Sequence, residues 1–339
     1  MRCSILCAFL GTLGISASLF AQQYKVTGQI PIEDPGGWDY AYVDSVNRQL
    51  YVTHGTQVQV VDLNTEKPTA KITGMKRIHG VATADELNRG FISDGGDNAV
   101  VVFDLKSNEI LQRVKAGNNP DAILYDAPTQ RVFAFNGRSN DVTAINAKDG
   151  TVVGTVELGG KPEFAVSDGK GFVYDNIEDK GEIVKLDAKD LKVVSRWPLV
   201  GCEEPTGLAI DPDTHRLFAV CASQVMAIVN YESGKVIATV PIDEGADAAA
   251  YDPNKKLAFS SNGQGTLTVV KQDGPYKYSV VETVKTENSA RTMALDPKTH
   301  KIYLPAAGFG AAPAASQGNP HPGPAMFPRA FHLVVVSPD

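Results

Sequence analysis

The sequence predicts an all-β fold, a seven-bladed β-propeller of four-stranded antiparallel blades, and three observations carry that prediction. First, an aspartate ends a short apolar run at Asp44, Asp85, Asp126, Asp168, Asp211, Asp252 and Asp296, at intervals of 41, 41, 42, 43, 41 and 44 residues. Second, each of these anchors is followed by two further runs of β-branched and aromatic residues, as in QLYVTH at 49–54 and VQVVD at 58–62. Third, the last repeat has no room for a fourth strand, whereas KVTGQIPI at 25–32 reads as a fourth strand with no blade of its own. A unit of about 40 residues holding four short strands cannot bury its apolar faces alone, and stacking such units in a ring is the propeller solution.

The chain can be taken element by element from its start. Arg2 precedes an apolar stretch from Ile5 to Leu19 that ends in small residues at Ala21, the pattern of a cleaved signal peptide over 1–21. Export is therefore expected, with the mature domain at 22–339 located in the periplasm or secreted. The segment 24–32 is expected to add to the outer edge of blade seven and close the ring, burying Val26, Ile30 and Ile32 and leaving no free sheet edge. Blade five, over 203–243, is the plainest repeat: Thr206 to Ile210, Arg216 to Cys221, Val225 to Val229 and Lys235 to Ile242 are its strands, separated by turn signals. The one departure from the repeat is 306–330, rich in Pro, Gly and Ala, inserted between the second and third strands of blade seven. Such a segment forms neither helix nor sheet and reads as a lid, a docking arm or an inert loop.

Composition bounds the function. The chain has 339 residues, 43% of them hydrophobic, and a formal charge of −7, which loss of Arg2 takes to −8. An acidic protein of this kind is a poor partner for a phosphate backbone, so no nucleic acid is expected. No stretch after the leader is apolar for the roughly 20 residues a membrane span needs. Of the four cysteines, Cys3 and Cys7 lie in the leader, and Cys202 and Cys221 remain. These two flank a predicted hairpin in an exported chain, so they can meet; the sequence leaves bridged and free forms both open.

The strings YVTH at 51–54 followed by VQVVDLNT, and FAFN at 133–136 followed by VTAINAKDG, resemble the Tyr-Val-Thr-Asn repeat of the bacterial YVTN β-propeller family. The resemblance spans nearly the whole mature chain and implies an exported seven-bladed propeller. It also implies kinship with the propeller parts of quinoprotein amine dehydrogenase, nitrous oxide reductase and haem d1 nitrite reductase, whose cofactor ligands do not map onto this sequence residue by residue. The Asn of the repeat stands at Asn136, Asn176 and Asn262 and is replaced by His54, Asp94, Ala222 and Ala306 elsewhere. That variation suggests a turn role rather than a ligand role.

Candidate chemistry gathers at one face. The position five residues before each anchor holds Asp39, Gly80, Asp121, Glu163, Thr206, Asp247 and Arg291, with His79 beside Gly80. In a propeller these positions converge at the mouth of the central channel. Asp39, Asp121, Glu163 and Asp247 could bind a divalent cation such as Ca²⁺ or Mg²⁺, or could be a solvated ring of turn residues. Trp38, His54, His79, Arg291 and His321 are expected on the same face as candidate ligand contacts, with His79 the candidate general base. His215 and His300, in DPDTHRLF and DPKTHKIY, read as turn residues of the opposite face. The sequence has no phosphate-binding Gly loop, nucleophile elbow, haem attachment motif or zinc spacing. The reading is therefore a binding or interaction module for a small molecule or a protein. The alternatives are a metal-assisted lactonase or lyase on the carboxylate ring, and a docking subunit for a redox or envelope partner.

Overall fold

The structure, a computed structural model, describes residues 24–32, 36–311 and 325–339. The signal peptide expected over 1–21 and the candidate contact His321 lie outside the described residues.

Seven four-stranded antiparallel sheets form the blades, six of them from four consecutive strands. The seventh sheet runs in the order Tyr24–Pro31, His332–Pro338, Ile302–Ala306, Ala294–Leu295, so the N-terminal strand is its outer edge. The closing strand pairs Tyr24 with Pro338 and Ile30 with Leu333, and a bulge lies between Val26 and Gly28. The bulge turns the strand over: Tyr24 packs with residues of blade six and Ile30 with residues of blade one. Tyr24, Ile30 and Ile32 are buried as a result. Val26, expected in the core, is 42% exposed because it sits where the strand changes face.

Among the described residues the apolar side chains assemble into seven clusters, each shared by two neighbouring blades. One example joins Val52 and Leu50 of blade one to Tyr303 and Leu333 of blade seven. The core is thus a ring of interfaces, and each blade depends on both neighbours.

The anchor aspartates work as turn formers. Asp44 Oδ1 accepts hydrogen bonds from the amides of Val46 (3.0 Å) and Asn47 (2.8 Å), and Asp211, Asp252 and Asp296 repeat the pattern. His215 and His300 occupy left-handed turn positions, with φ of 61° and 60°.

Blade two departs from this pattern. Ala84, not Asp85, stands opposite the start of the second strand, as Asp44 does in blade one. Asp85 instead begins a 3₁₀ turn over Asp85–Leu87. The sequence anchor is therefore one residue late in blade two, which moves the predicted ring position from Gly80 to His79.

The repeat residues also have assignable work. Thr53, Ser93 and Ser261, at the Thr position, donate to carbonyls of the next blade: to His79 (2.9 Å), Asp121 (2.5 Å) and Arg291 (2.5 Å). Asn136 and Asn262 are fully buried and donate to Thr143 and Thr268 of the adjoining third strand. Neither has positive φ, so the expected turn role gives way to a cross-strand tie. Asn176 takes the Thr position by register, since Ile177 pairs where His54 does, and it donates to Thr206 O at 3.0 Å.

Cys202 and Cys221 form a disulfide, with 5.5 Å between their Cα atoms. The bridge ties the entry of blade five to the end of its second strand, Arg216–Cys221.

Candidate functional site

Strand pairing places Trp38, Ile78, Pro120, Pro162, Pro205 and Ala246 at one equivalent position, each opposite the end of the second strand of its blade. The next residue in each case is Asp39, His79, Asp121, Glu163, Thr206 or Asp247, and Arg291 completes the set just before the short first strand Ala294–Leu295. The first strands of neighbouring blades pack against one another, so these side chains meet.

Their backbone is held by a shared device. The carbonyls of His79, Asp121, Thr206 and Arg291 accept from the preceding blade as described, and Asp39 O accepts from Thr292 Oγ1 of blade seven at 2.7 Å. Phe135 of blade three stands where blades one, two and six carry a hydroxyl, and Glu163 O accepts instead from the buried Tyr40 hydroxyl at 3.3 Å. A ring fixed by such inter-blade bonds is preorganised, which keeps the cost of ordering side chains on binding low.

The charges form a chain around the mouth. Arg291 is paired with Asp247, and its other terminal nitrogen lies 3.3 Å from Trp38 O and 3.8 Å from Asp39 Oδ1. His79 Nδ1 lies 2.6 Å from Asp39 Oδ2 and 3.5 Å from Asp121 Oδ1. Asp39, His79 and Asp121 each bring one ligand-type atom within 4.8 Å of the others. Lys161 Nζ lies 2.9 Å from Glu163 Oε2 without aligning on it as a hydrogen bond, because its closer partner is Glu178.

Burial sets the electrostatics. It pushes the Asp121 carboxyl up to about 6; His79 pulls against this and the Asp39 charge adds to it. Burial likewise raises Glu163 to about 7, with the Asp121 charge adding and Lys161 opposing. Burial disfavours a charged His79, yet the bond to Asp39 and the charges of Asp121 and Asp39 together raise its pKa. Asp175, wholly buried in blade four and with no hydrogen-bond partner for either oxygen, is raised well above the carboxylate range by burial and by the Glu163 charge. The first strands of blades one to four enclose a cavity of about 200 Å³, lined by Tyr40, Tyr42, Leu124, Tyr125 and Phe164 among others.

The structure brings Asp39, His79, Asp121, Asp247 and Arg291 into one network, with Glu163 linked to it through Tyr40 and the Asp121 charge. Within the four-carboxylate set read from the sequence, Glu163 and Asp247 have basic partners, and it is Asp39 and Asp121 that converge with a histidine. His54 is not in the network: its ring stacks on Phe331 at 4.1 Å and its Nε2 lies 2.9 Å from Gly36 O. Trp38 turns its indole toward Phe331 and Phe309, so only its carbonyl meets the ring residues. The described base of the 306–330 insertion folds on this spot, through a bridge between Phe309 and Met326 and a fully buried Phe331. Sequence reasoning missed Lys161, Asn119 and Asp175, which come from strand-entry and second-strand positions outside the ring pattern. The ring role of His79 could have been found by counting: the second strand starts five residues after the anchor in blades one, three, five and six, and five back from Arg89 is Ala84.

A closed ring of sheets with one polar residue per blade at the mouth defines the class: a β-propeller. Among solved structures the chain is similar to a chain of Kuenenia stuttgartiensis hydrazine synthase, with a TM-score of 0.72 and 16% identity over 80% of this chain and 93% of that one. At that identity the likeness shows the fold alone. No family model and no curated protein matches the chain. Among the described residues no helix is long and apolar enough to cross a membrane.

Proposed function

We propose that this protein is an exported binding propeller that recognises a small polar ligand at the ring formed by Asp39, His79, Asp121, Glu163, Asp247 and Arg291. One observation carries the reading. Six of seven blades place an ionisable side chain at the same register position of adjoining inner strands, and burial holds two of those carboxyls near neutrality. Structural ion pairs do not require such equivalence, whereas a ligand centred on the channel does. The resemblance to YVTN propellers and the leader sequence support export. The test is a thermal-shift and calorimetric screen of the mature chain, in chelator, against sugars, amino acids and other small polar compounds. A hit should be lost in Arg291→Ala and Asp247→Asn and kept in Lys235→Ala; retention in the ring variants would overturn the reading. Recovery of the chain from a periplasmic or culture fraction, lacking 1–21 by mass spectrometry, tests export.

The convergence of Asp39, His79 and Asp121 favours a second reading, a metal-assisted lactonase or lyase. In that case His79 is not a free general base, because Nδ1 faces two carboxylates and Nε2 is buried beside Gly95 and Asn119. Turnover of lactones or uronates that depends on added metal is the result this reading requires.

A further inference from the structure

We propose that Asp39, His79 and Asp121 together hold one divalent cation of the kind that accepts mixed oxygen and imidazole ligands, Mn²⁺ or Zn²⁺, at the mouth of the channel. The inference rests on the ring being the recognition site and names what that ring binds first.

Charge at this spot is unmatched. Arg291 is committed to Asp247 and reaches Asp39 only at 3.8 Å, and Lys161 is committed to Glu178 and Glu163. Asp39 and Asp121 are left to share a single imidazole. One imidazolium cancels one of the two negative charges, and a divalent cation cancels both. Imidazole in place of a third carboxylate shifts the preference away from Ca²⁺ and Mg²⁺ and toward Mn²⁺ and Zn²⁺.

A second, independent observation concerns the far side of the imidazole. The His79 side chain is 9% exposed, and its Nε2 has no hydrogen-bond partner. Asn119, 5% exposed, has an equally unpartnered Oδ1. Both atoms face the same small space: a Cβ on Gly95 would lie 2.7 Å from His79 Nε2 and 2.9 Å from Asn119 Oδ1. If Nδ1 gives its lone pair to a metal, the proton must sit on Nε2. An N–H there can meet Asn119 Oδ1 directly or through one water, as outer-shell acceptors do for metal-bound histidines. The tautomer that metal binding demands is thus the one that this buried acceptor serves, and Gly95 keeps the space between them open.

The three ligands come from inner strands of blades one, two and three, fixed by the Thr292, Thr53 and Ser93 clamps. A site built on three strands with tied backbones changes little on loading. Among the described residues three protein ligands are supplied, so remaining positions are open to water or to the ligand of the ring.

The test uses the mature chain stripped with EDTA and titrated with Mn²⁺ alone, followed by electron paramagnetic resonance, with Zn²⁺ calorimetry in parallel. Expected are one saturable site and a ¹⁴N coupling from a bound imidazole. His79→Gln and Asp121→Asn should weaken binding by about tenfold or more, and Asn119→Ala by about tenfold, as outer-shell changes do. The ¹⁴N coupling is read on the unmodified chain, so a misfolded variant does not remove the test. Absence of saturable binding up to about 1 mM metal would overturn the proposal, as would binding without ¹⁴N coupling that survives His79→Gln. Small-molecule binding that persists in chelator and is lost in Arg291→Ala would then leave the recognition reading standing without the cation.

Discussion

Blade five and the arc running through blades seven, one, two and three solve the same folding problem with different side chains. In blade five the ring position is Thr206, whose hydroxyl is spent on Ala246 O at 2.9 Å and Val220 O at 3.3 Å, and the blade is pinned by the Cys202–Cys221 bridge. On the arc the same position carries Arg291, Asp39, His79 and Asp121, whose side chains face one another across blade boundaries. The contrast teaches that the inter-blade clamp and the chemistry are separable. Backbone carbonyls hold the blades in both regions, so the side chains of the arc are not needed to clamp them.

The largest effect is expected at the seam of the arc. Deleting 22–34 removes the buried side chains of Tyr24, Ile30 and Ile32, each worth about 1.5–3 kcal/mol, and exposes the edge of His332–Pro338. The expected outcome is aggregation or a fall in melting temperature of more than about 10 °C; an unchanged melting curve would contradict closure. Next in size is the pin of blade five. Replacing Cys202 and Cys221 by Ala should cost about 2–4 kcal/mol in denaturant unfolding and leave Mn²⁺ and ligand binding unaltered.

A smaller effect, of opposite sign, is expected at Glu163. Its carboxyl is raised by burial from 4.5 to about 7, among Asp121, Asp175, Glu178 and Lys161. The native state therefore holds this proton more tightly than the unfolded chain, and stability falls as pH rises from about 4.5 through about 7. Glu163→Gln should flatten that slope and raise stability above pH 7 by about 1–2 kcal/mol, read from denaturant midpoints across pH in chelator. Smallest is Thr206→Val, which loses the bond to Ala246 O at about 1 kcal/mol and should leave binding untouched. A binding defect there would mean that blade five belongs to the site.

The fold was legible because the ring repeats its turn chemistry. Asp44, Asp126, Asp211, Asp252 and Asp296 bond their own following residues, a local requirement that writes itself into the sequence at a fixed spacing. The slip in blade two arose where a 3₁₀ turn replaces that device and puts an aspartate one residue late. The face of the site was legible for the same reason as the blades, since register carries Asp39, Asp121 and Asp247 to one place. What could not be read was direction. His54 shares an exit loop with that face, yet packing on Phe331 turns its ring toward the insertion. Asn119 and Asp175 follow no repeat, and their bearing on the ring appears only when three blades are assembled.

The closing strand has a further consequence. Thr27 touches Val335 and Ser337 across more than 300 residues of chain. Until that contact is made blade seven lacks its outer strand, and blades six and one each lack one finished neighbour. Folding is therefore expected to be slow in the way that large sequence separations impose, since this contact closes a loop that encompasses the whole domain. The same contact also lets the assembled ring resist unravelling from either terminus, since peeling one strand away means opening the circle. Longevity of the folded state should accordingly exceed what its equilibrium stability suggests, and a circular permutant opened between two other blades would report how much of that persistence belongs to the seam.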